Sequence, residues 1–176
     1  ADWHVCPKPG TDGALAMAMI NVIIEEGLMD QDYVDNYTVG FQELAERAKE
    51  RSPEWAEKIT GISADDIRNL AREYATTQPS AIRIGVALEK SWGGCQAIRA
   101  ITSLPAITGA WRHVGGGILQ FPVWEHPYKF DVICRPDLIP EGTQVVNNLQ
   151  LGRVLTGEQK LKVPIKSMMC WNTNPV

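Results

Sequence analysis

A chain of 176 residues with 44% apolar and 22% charged side chains carries enough apolar content for the core of one domain, or of one domain and part of a second. Its formal charge of −4 excludes non-specific binding to nucleic acid, which requires a basic face to neutralise phosphates. A single bound nucleotide needs only local donors and stays open. The longest apolar run, GALAMAMINVII, is interrupted by Asn21 and ended by Glu25 and Glu26, too short to cross a bilayer.

In chain order, WHVCPK reads as a short strand leading into a Pro9-Gly10 turn. From Asp12 to Glu26 the apolar residues Leu15, Met19, Val22 and Ile23 recur at helical spacing, with Thr11 or Asp12 as the cap and Gly27 as the stop. Asp30 opens a short helix through Tyr33 and Val34, and FQELAERAKER predicts an amphipathic helix with Leu44, Ala45 and Ala48 inward. SPEWAEKITG begins with Ser52 as N-cap and Pro53 at the first helical position. SADDIRNLAREYATT begins with Ser63, has Asp66 three residues later as an acidic form of the capping box, and carries a stripe of Ile67, Leu70, Ala71 and Tyr74.

After Pro79, the β-branched run SAIRIGVAL predicts a buried strand. GGCQAIRAITSLPAITG resumes helical spacing, with Pro105 expected to kink or split the helix and Gly109 to end it. Residues 118–160 read as a long irregular connection containing one modest helix in TQVVNNLQLGRVLTG. VPIKSMMCW predicts a second buried strand. Continuous apolar strands among more numerous helices imply an α/β class: a partial open parallel sheet flanked by helices, Rossmann-like and helix-rich. The chain begins with Ala and ends soon after an apolar run, so a fragment of a longer protein is expected. The domain reading is 1–117 as part of an α/β domain, 118–160 as a connection and 161–176 as the first strand and turn of the next domain.

In open α/β sheets, ligands bind beyond the carboxyl ends of the strands, where helix N-termini present free N–H groups. The glycine-containing turns at Gly10, Gly85–Gly94, Gly115–Gly117 and the final NTNP stretch are therefore candidate sites. None matches a dinucleotide fingerprint or a P-loop. Thr11-Asp12 reads either as a plain helix cap or as a cap plus a base reader, with the Asp12 carboxylate accepting from a guanine's N1–H and N2–H₂. Lys90 is either a solvated loop charge or a partner for a pyrophosphate. Arg99 either reaches an anion or snorkels to solvent.

Cys6, Cys95, Cys134 and Cys170 are far apart and form no metal-ligand spacing, so buried free thiols are expected and a metal site within the chain is not. His4, His113 and His126 suggest no nucleophilic triad, and Trp92, Trp111, Trp124 and Trp171 read as packing anchors near turns. No residue is assigned a catalytic role.

The collinear order of these pieces resembles the molybdopterin oxidoreductase (dimethyl sulfoxide reductase) family. The resemblance is carried by ADWHVCPKPGTDGALAMAMINVIIEEGLMDQDYVDNYTVGF, the ITGISADDIRNLAREYA and GGCQAIRAITSLPAITG helices, the GGG turn and IKSMMCWNTNPV. It implies a bis-molybdopterin guanine dinucleotide cofactor with molybdenum or tungsten. It further implies that the metal ligand and an iron-sulfur cluster lie elsewhere in the full-length protein. Under that resemblance Gly10, Thr11 and Asp12 correspond to a guanine-dinucleotide turn, and Gly85, Val86 and Lys90 to a loop approaching the pterin. Asn172 and Asn174 correspond to an Asn-Pro turn near the second dinucleotide. Implied partners are the rest of the polypeptide, an iron-sulfur electron-transfer subunit and a small-molecule substrate. The chain departs from the family at GVALEKSWGG, where many members read GYGMQRHTNGG, and at Arg112-His113-Val114, where many read Gly-Arg-Pro. These departures leave a non-redox, hydratase-like member as an alternative, and a non-catalytic nucleotide- or partner-binding module as a second.

Overall fold

The computed structural model describes residues 1–120 and 128–170, in two compact units, Ala1–His126 and Pro127–Val176. The first unit is a helix-rich α/β assembly. Its helices are α1 (Asp12–Glu25), α2 (Gln31–Tyr37), α3 (Phe41–Lys49), α4 (Pro53–Thr60), α5 (Ala64–Thr76) and α6 (Gly94–Ile107). Strands β1 (Ala81–Arg83) and β2 (Gly117–Leu119) pair in parallel, Ile82 opposite Ile118, with α6 lying between them in sequence. That is one strand-helix-strand unit, the element from which parallel sheets are built.

Helix α1 is the axis of this unit. It buries Ala16, Ala18, Met19, Ile20, Asn21, Val22 and Ile23, so its apolar surface wraps most of its circumference and α3, α4, α5 and α6 all pack on it. The one polar group in that run, Asn21, is satisfied: its side-chain amide donates to the Ala48 carbonyl at 3.0 Å. Helix α5 contributes fully buried Ile67 and Ala71. At its surface Arg72 holds Glu26 through two hydrogen bonds of 2.8 Å. That contact keeps the Glu26 carboxyl below the usual carboxylate range.

Helices α1 and α6 run in the same direction. Near their starts, a Cβ on Gly13 would lie 3.2 Å from the Ala97 Cα, and near their ends the Asp30 N–H donates to the Ile107 carbonyl at 2.9 Å. Beyond α6, Gly109 stands in the left-handed region at φ 64°, where any Cβ would strike the Asp30 carboxylate. Arg112 donates to Asp30 at 3.0 Å, pairs with Asp32, and lies 5.1 and 5.2 Å from the ring centres of Tyr33 and Tyr37. The turn leading towards β2 is thereby tied to α2.

Caps follow the sequence closely. Asp30, Ser52 and Ser63 accept from the backbone N–H groups of Tyr33, Trp55 and Asp66. The acidic capping box differs in detail, because the Asp66 carboxylate accepts from the Ser63 hydroxyl rather than its N–H.

Other expectations are corrected. WHVCPK forms no strand; its backbone is held through Lys8, whose N–H donates to the Thr60 carbonyl at 3.0 Å. Pro105 neither ends nor splits α6, which continues to Ile107 with Pro105 buried in the core. All four cysteines are exposed and free rather than buried.

The second unit contains two short helices, α7 (Phe130–Cys134) and α8 (Leu151–Leu155). Helix α8 with the 3-10 turn Asn148–Gln150 is all that forms of the helix expected across TQVVNNLQLGRVLTG. The predicted strand VPIKSMMCW has no strand pairing over residues 163–170, and Val163, Ile165, Met168 and Met169 are exposed. A strand needs a neighbour to satisfy its backbone, and none stands beside this segment among the described residues. No described helix is long and apolar enough to cross a membrane.

The close approach of α1 and α6 depends on the missing side chain at Gly13. Replacing Gly13 by Val should destabilise the first unit by about 1–3 kcal/mol through overpacking against the Ala97 backbone, measured as a lower urea midpoint. A midpoint equal to that of the parent chain would show that the two helices separate without cost.

Candidate functional site

The carboxyl end of the sheet lies where the chain leaves β1 at Ile84-Gly85 and β2 at Gln120. The Ile84 N–H extends the ladder to the Leu119 carbonyl at 2.9 Å. From there residues 85–93 form an exposed loop into α6, containing a single 3-10 turn at Leu88–Lys90. The Gln120 side-chain amide donates to Glu89 at 2.8 Å, so the loop is tied to the end of the neighbouring strand. Ser91 closes the turn by donating its hydroxyl proton to the Leu88 carbonyl at 2.6 Å.

Two glycines shape the start of α6. Gly93 is left-handed at φ 75°. Gly94 is buried with the Leu88 carbonyl against it: an added Cβ would fall 2.0 Å from that oxygen. No side chain caps this helix, and the N–H of Cys95 finds no acceptor among the described residues. The positive end of the α6 dipole is therefore exposed at the carboxyl edge of the sheet.

The Gly13–Ala97 contact places the start of α1 beside it. Here Gly10 is left-handed at φ 79°, and Thr11 occupies the N-cap position. Thr11 does not cap with its side chain. Its hydroxyl donates backwards to the Lys8 carbonyl at 2.6 Å, while its own carbonyl accepts from Ala14 and Leu15. The N–H groups of Asp12 and Gly13 make no hydrogen bond among the described residues, and the half-buried Asp12 carboxylate has no partner there. Ahead of Gly10, Gly85 and Gly93 an added Cβ would meet nothing within 4 Å. The arrangement is thus two adjacent helix N-termini with open glycine backbone in front and one acceptor-only side chain, suited to an anionic group joined to a donor-bearing ring.

Sequence reasoning named Gly10, Thr11, Asp12, Gly85, Val86 and Lys90, and the structure brings the two stretches to one end of the α1–α6 pair. Val86 and Lys90 are exposed, and Lys90 makes no ion pair among the described residues. Asn172 and Asn174 lie outside the described residues, as do Trp124, His126 and Trp171. Gly115–Gly117 stands elsewhere: it leads into β2, whose first residue is Gly117, and so lies at the amino end of the parallel sheet, away from the loop after β1. Trp92, read as a packing anchor, is fully exposed. Gly13 was given no role, and Gly94 was named only as the end of the Gly85–Gly94 turn; the close backbone approach at each is a tertiary contact. Among the described residues no cluster of His, Cys, Asp and Glu suits a metal ion.

Comparison with known proteins defines the class. No family model matches the chain. It is 42% identical over 176 residues, 99% of its length, to a probable oxidoreductase, YoaE, of Bacillus subtilis, covering 25% of that protein. A probable dimethyl sulfoxide reductase chain, YnfF, of Escherichia coli is 34% identical over 95% of this chain and 24% of its own. Among solved structures, acetylene hydratase from Pelobacter acetylenicus aligns with a TM-score of 0.59 at 42% identity, over 63% of this chain and 15% of that one. The chain belongs to the molybdopterin oxidoreductase (dimethyl sulfoxide reductase) family at the level of a segment. It spans about a quarter of the length of the curated relatives it matches.

The local geometry makes Gly94 the sharpest test of this loop. Gly94→Ala should open the turn, raising amide hydrogen exchange at residues 88–95 well above that of α5, because the clashing atom is a backbone oxygen that cannot rotate away. Unchanged exchange there would mean that the turn tolerates a Cβ and is not fixed by this contact.

Proposed function

We propose that this chain is a segment of a molybdenum or tungsten enzyme and that it holds the dinucleotide part of a bis-molybdopterin guanine dinucleotide. The observation that carries this reading is the pairing of the α1 and α6 N-termini at the carboxyl end of the sheet, with N–H groups at Asp12, Gly13 and Cys95 that meet no acceptor among the described residues. Family membership supports this choice of ligand. In this reading the free amides and Lys90 neutralise pyrophosphate charge, since oriented backbone N–H groups cost no reorganisation on binding. The Asp12 carboxylate accepts from the guanine edge, and Thr11, turned towards Lys8, fixes the backbone of that turn. Gly85 and Val86 face the pterin end, and Asn172 and Asn174 serve the second dinucleotide. Residues 1–117 belong to one dinucleotide-binding domain, 118–160 connect, and 161–176 open the next.

The cofactor, when bound, supplies two-electron or oxygen-transfer chemistry at the metal. This segment binds and orients it, and the metal ligand and iron-sulfur cysteines lie outside the chain. Alone, the segment is inactive. Electron delivery by an iron-sulfur subunit and a small-molecule substrate complete this reading.

A second reading is a non-redox hydratase on the same scaffold. It is favoured by the similarity to acetylene hydratase, in the solved structure at 42% identity and in the Syntrophotalea acetylenica protein at 37% identity over 91% of this chain. Turnover without any electron acceptor separates it from the first.

Metal analysis of the full-length protein should find molybdenum or tungsten together with a fluorescent oxidised pterin and guanine nucleotide on denaturation. Finding none of these rejects both readings in favour of a plain nucleotide- or partner-binding module. In the same assay Asp12→Ala should lower bound guanine nucleotide, the affinity falling by roughly 5- to 150-fold for a lost bidentate contact of about 1–3 kcal/mol. Content equal to the parent protein would reject base reading by Asp12 and leave the family assignment untouched.

A further inference from the structure

A groove of about 520 Å³ opens on the first unit between α3 and α6, and of the candidate site residues only Arg99 lines it. Its floor is apolar, made by Met17 of α1, Leu44 of α3 and Ala100 and Ile107 of α6. Arg47 and Arg99 stand on its walls, from α3 and α6.

The charges in this groove do not balance. In the same unit Arg68, Arg72 and Arg112 each pair with a carboxylate, whereas Arg47 and Arg99 make no ion pair among the described residues. One carboxylate, Glu43, does line the groove, but it folds back to within 3.9 Å of a Cβ position on Gly40, over the start of its own helix, where the dipole favours it. The hydroxyl protons of Thr38 and Ser103 are committed to the Val34 and Arg99 carbonyls. Among the described residues, the side-chain donors left facing the groove are two guanidinium groups and the Gln96 amide. Two planar cations above an apolar floor match a peptide carrying Asp or Glu next to an apolar side chain, because guanidinium recognises carboxylate through paired hydrogen bonds.

We propose that this groove is the docking site for an acidic segment of the same polypeptide lying outside these 176 residues. The chain spans about a quarter of the curated relatives it matches, so chain of that kind is available under the reading above, on which this inference rests. The groove differs from the dinucleotide cradle in its lining: Arg47 and Arg99 supply side-chain cations, and Gly10, Asp12, Gly85 and Lys90 take no part.

The experiment uses the full-length protein carrying R47K or R99K, each of which keeps the charge and adds an amine, treated with a water-soluble carbodiimide that joins amines to carboxylates at zero length. Peptide mass spectrometry should then reveal a cross-link from position 47 or 99 to an Asp or Glu beyond the 176 residues, absent from the parent protein, whose arginines do not react. No new cross-link, one to Glu43 alone, or one doubling the mass of the chain overturns the inference, the last by showing that a second copy occupies the groove. An intact mass near 19.5 kDa for the native protein would instead remove the longer polypeptide on which both readings depend. Absence of pterin and guanine nucleotide from the parent protein, with the variants' cross-link present, would sink only the dinucleotide reading.

Discussion

The geometry of the proposed binding end depends on how closely α1 can approach α6. Side chains normally hold two helices 8–10 Å apart, but at Gly13 there is none, and the Ala97 backbone fills the space. Closeness at this point, with the Asp30–Ile107 hydrogen bond at the other end, forces the helices to run side by side in one direction. Parallel neighbours repel weakly through their dipoles, a cost antiparallel packing avoids. Two positive ends then lie together, a configuration that an anion relieves. The arrangement that burial of α1 demands is thus the one that leaves room for a charged ligand.

The sheet fixes the direction in which that ligand space opens. With β1 and β2 parallel, their carboxyl ends coincide, and the Gln120–Glu89 contact keeps the loop after β1 at that edge. The other end is closed by a different device. Arg112, bonded to Asp30, paired with Asp32 and flanked by two tyrosine rings, holds the turn that carries Gly109 and feeds Gly115–Gly117 into β2. One end of the unit is therefore locked by charge and aromatic contacts, and the other left open with bare backbone. This division explains why a triple glycine that looks ligand-like in sequence serves chain reversal instead. Gly116 and Gly117 lie so close to the Ala110 carbonyl and the Trp111 ring that no Cβ would fit.

Local chemistry made much of this legible beforehand. Ser52, Ser63 and Asp30 announced helix starts because capping is decided within three residues, and the stripe of Ile67, Leu70, Ala71 and Tyr74 announced the buried face of α5 because helical period is a local property. The failures were all non-local. WHVCPK and VPIKSMMCW have strand composition, yet a strand exists only where a neighbour accepts its hydrogen bonds. Pro105 lacks the N–H that would donate to the Ile101 carbonyl, yet its burial in the core accompanies a helix that continues across it to Ile107. The exposed cysteines show that average burial of a residue type says little about a particular position. For the site, residue types pointed to the Gly10–Asp12 turn, the resemblance weighted it, and only the tertiary contact at Gly13 joined it to the loop at 85–94.

The Thr11-Asp12 pair sets the two readings of one motif side by side. A capping threonine would accept from the second or third helical N–H and consume part of the free positive end. Here the hydroxyl turns away to Lys8, so the residue occupies the cap position without quenching the helix. Asp12, one residue further on, brings a carboxylate to the same end, where the dipole stabilises it and where a phosphate would be repelled by it. A ligand satisfying both demands must therefore separate its negative charge from a hydrogen-bond-donating ring by several ångströms. A nucleobase joined through a sugar to phosphates has that construction; inorganic phosphate alone does not. The combination of open amides with an unpaired carboxylate thus favours a whole nucleotide over a simple anion, which neither feature does by itself.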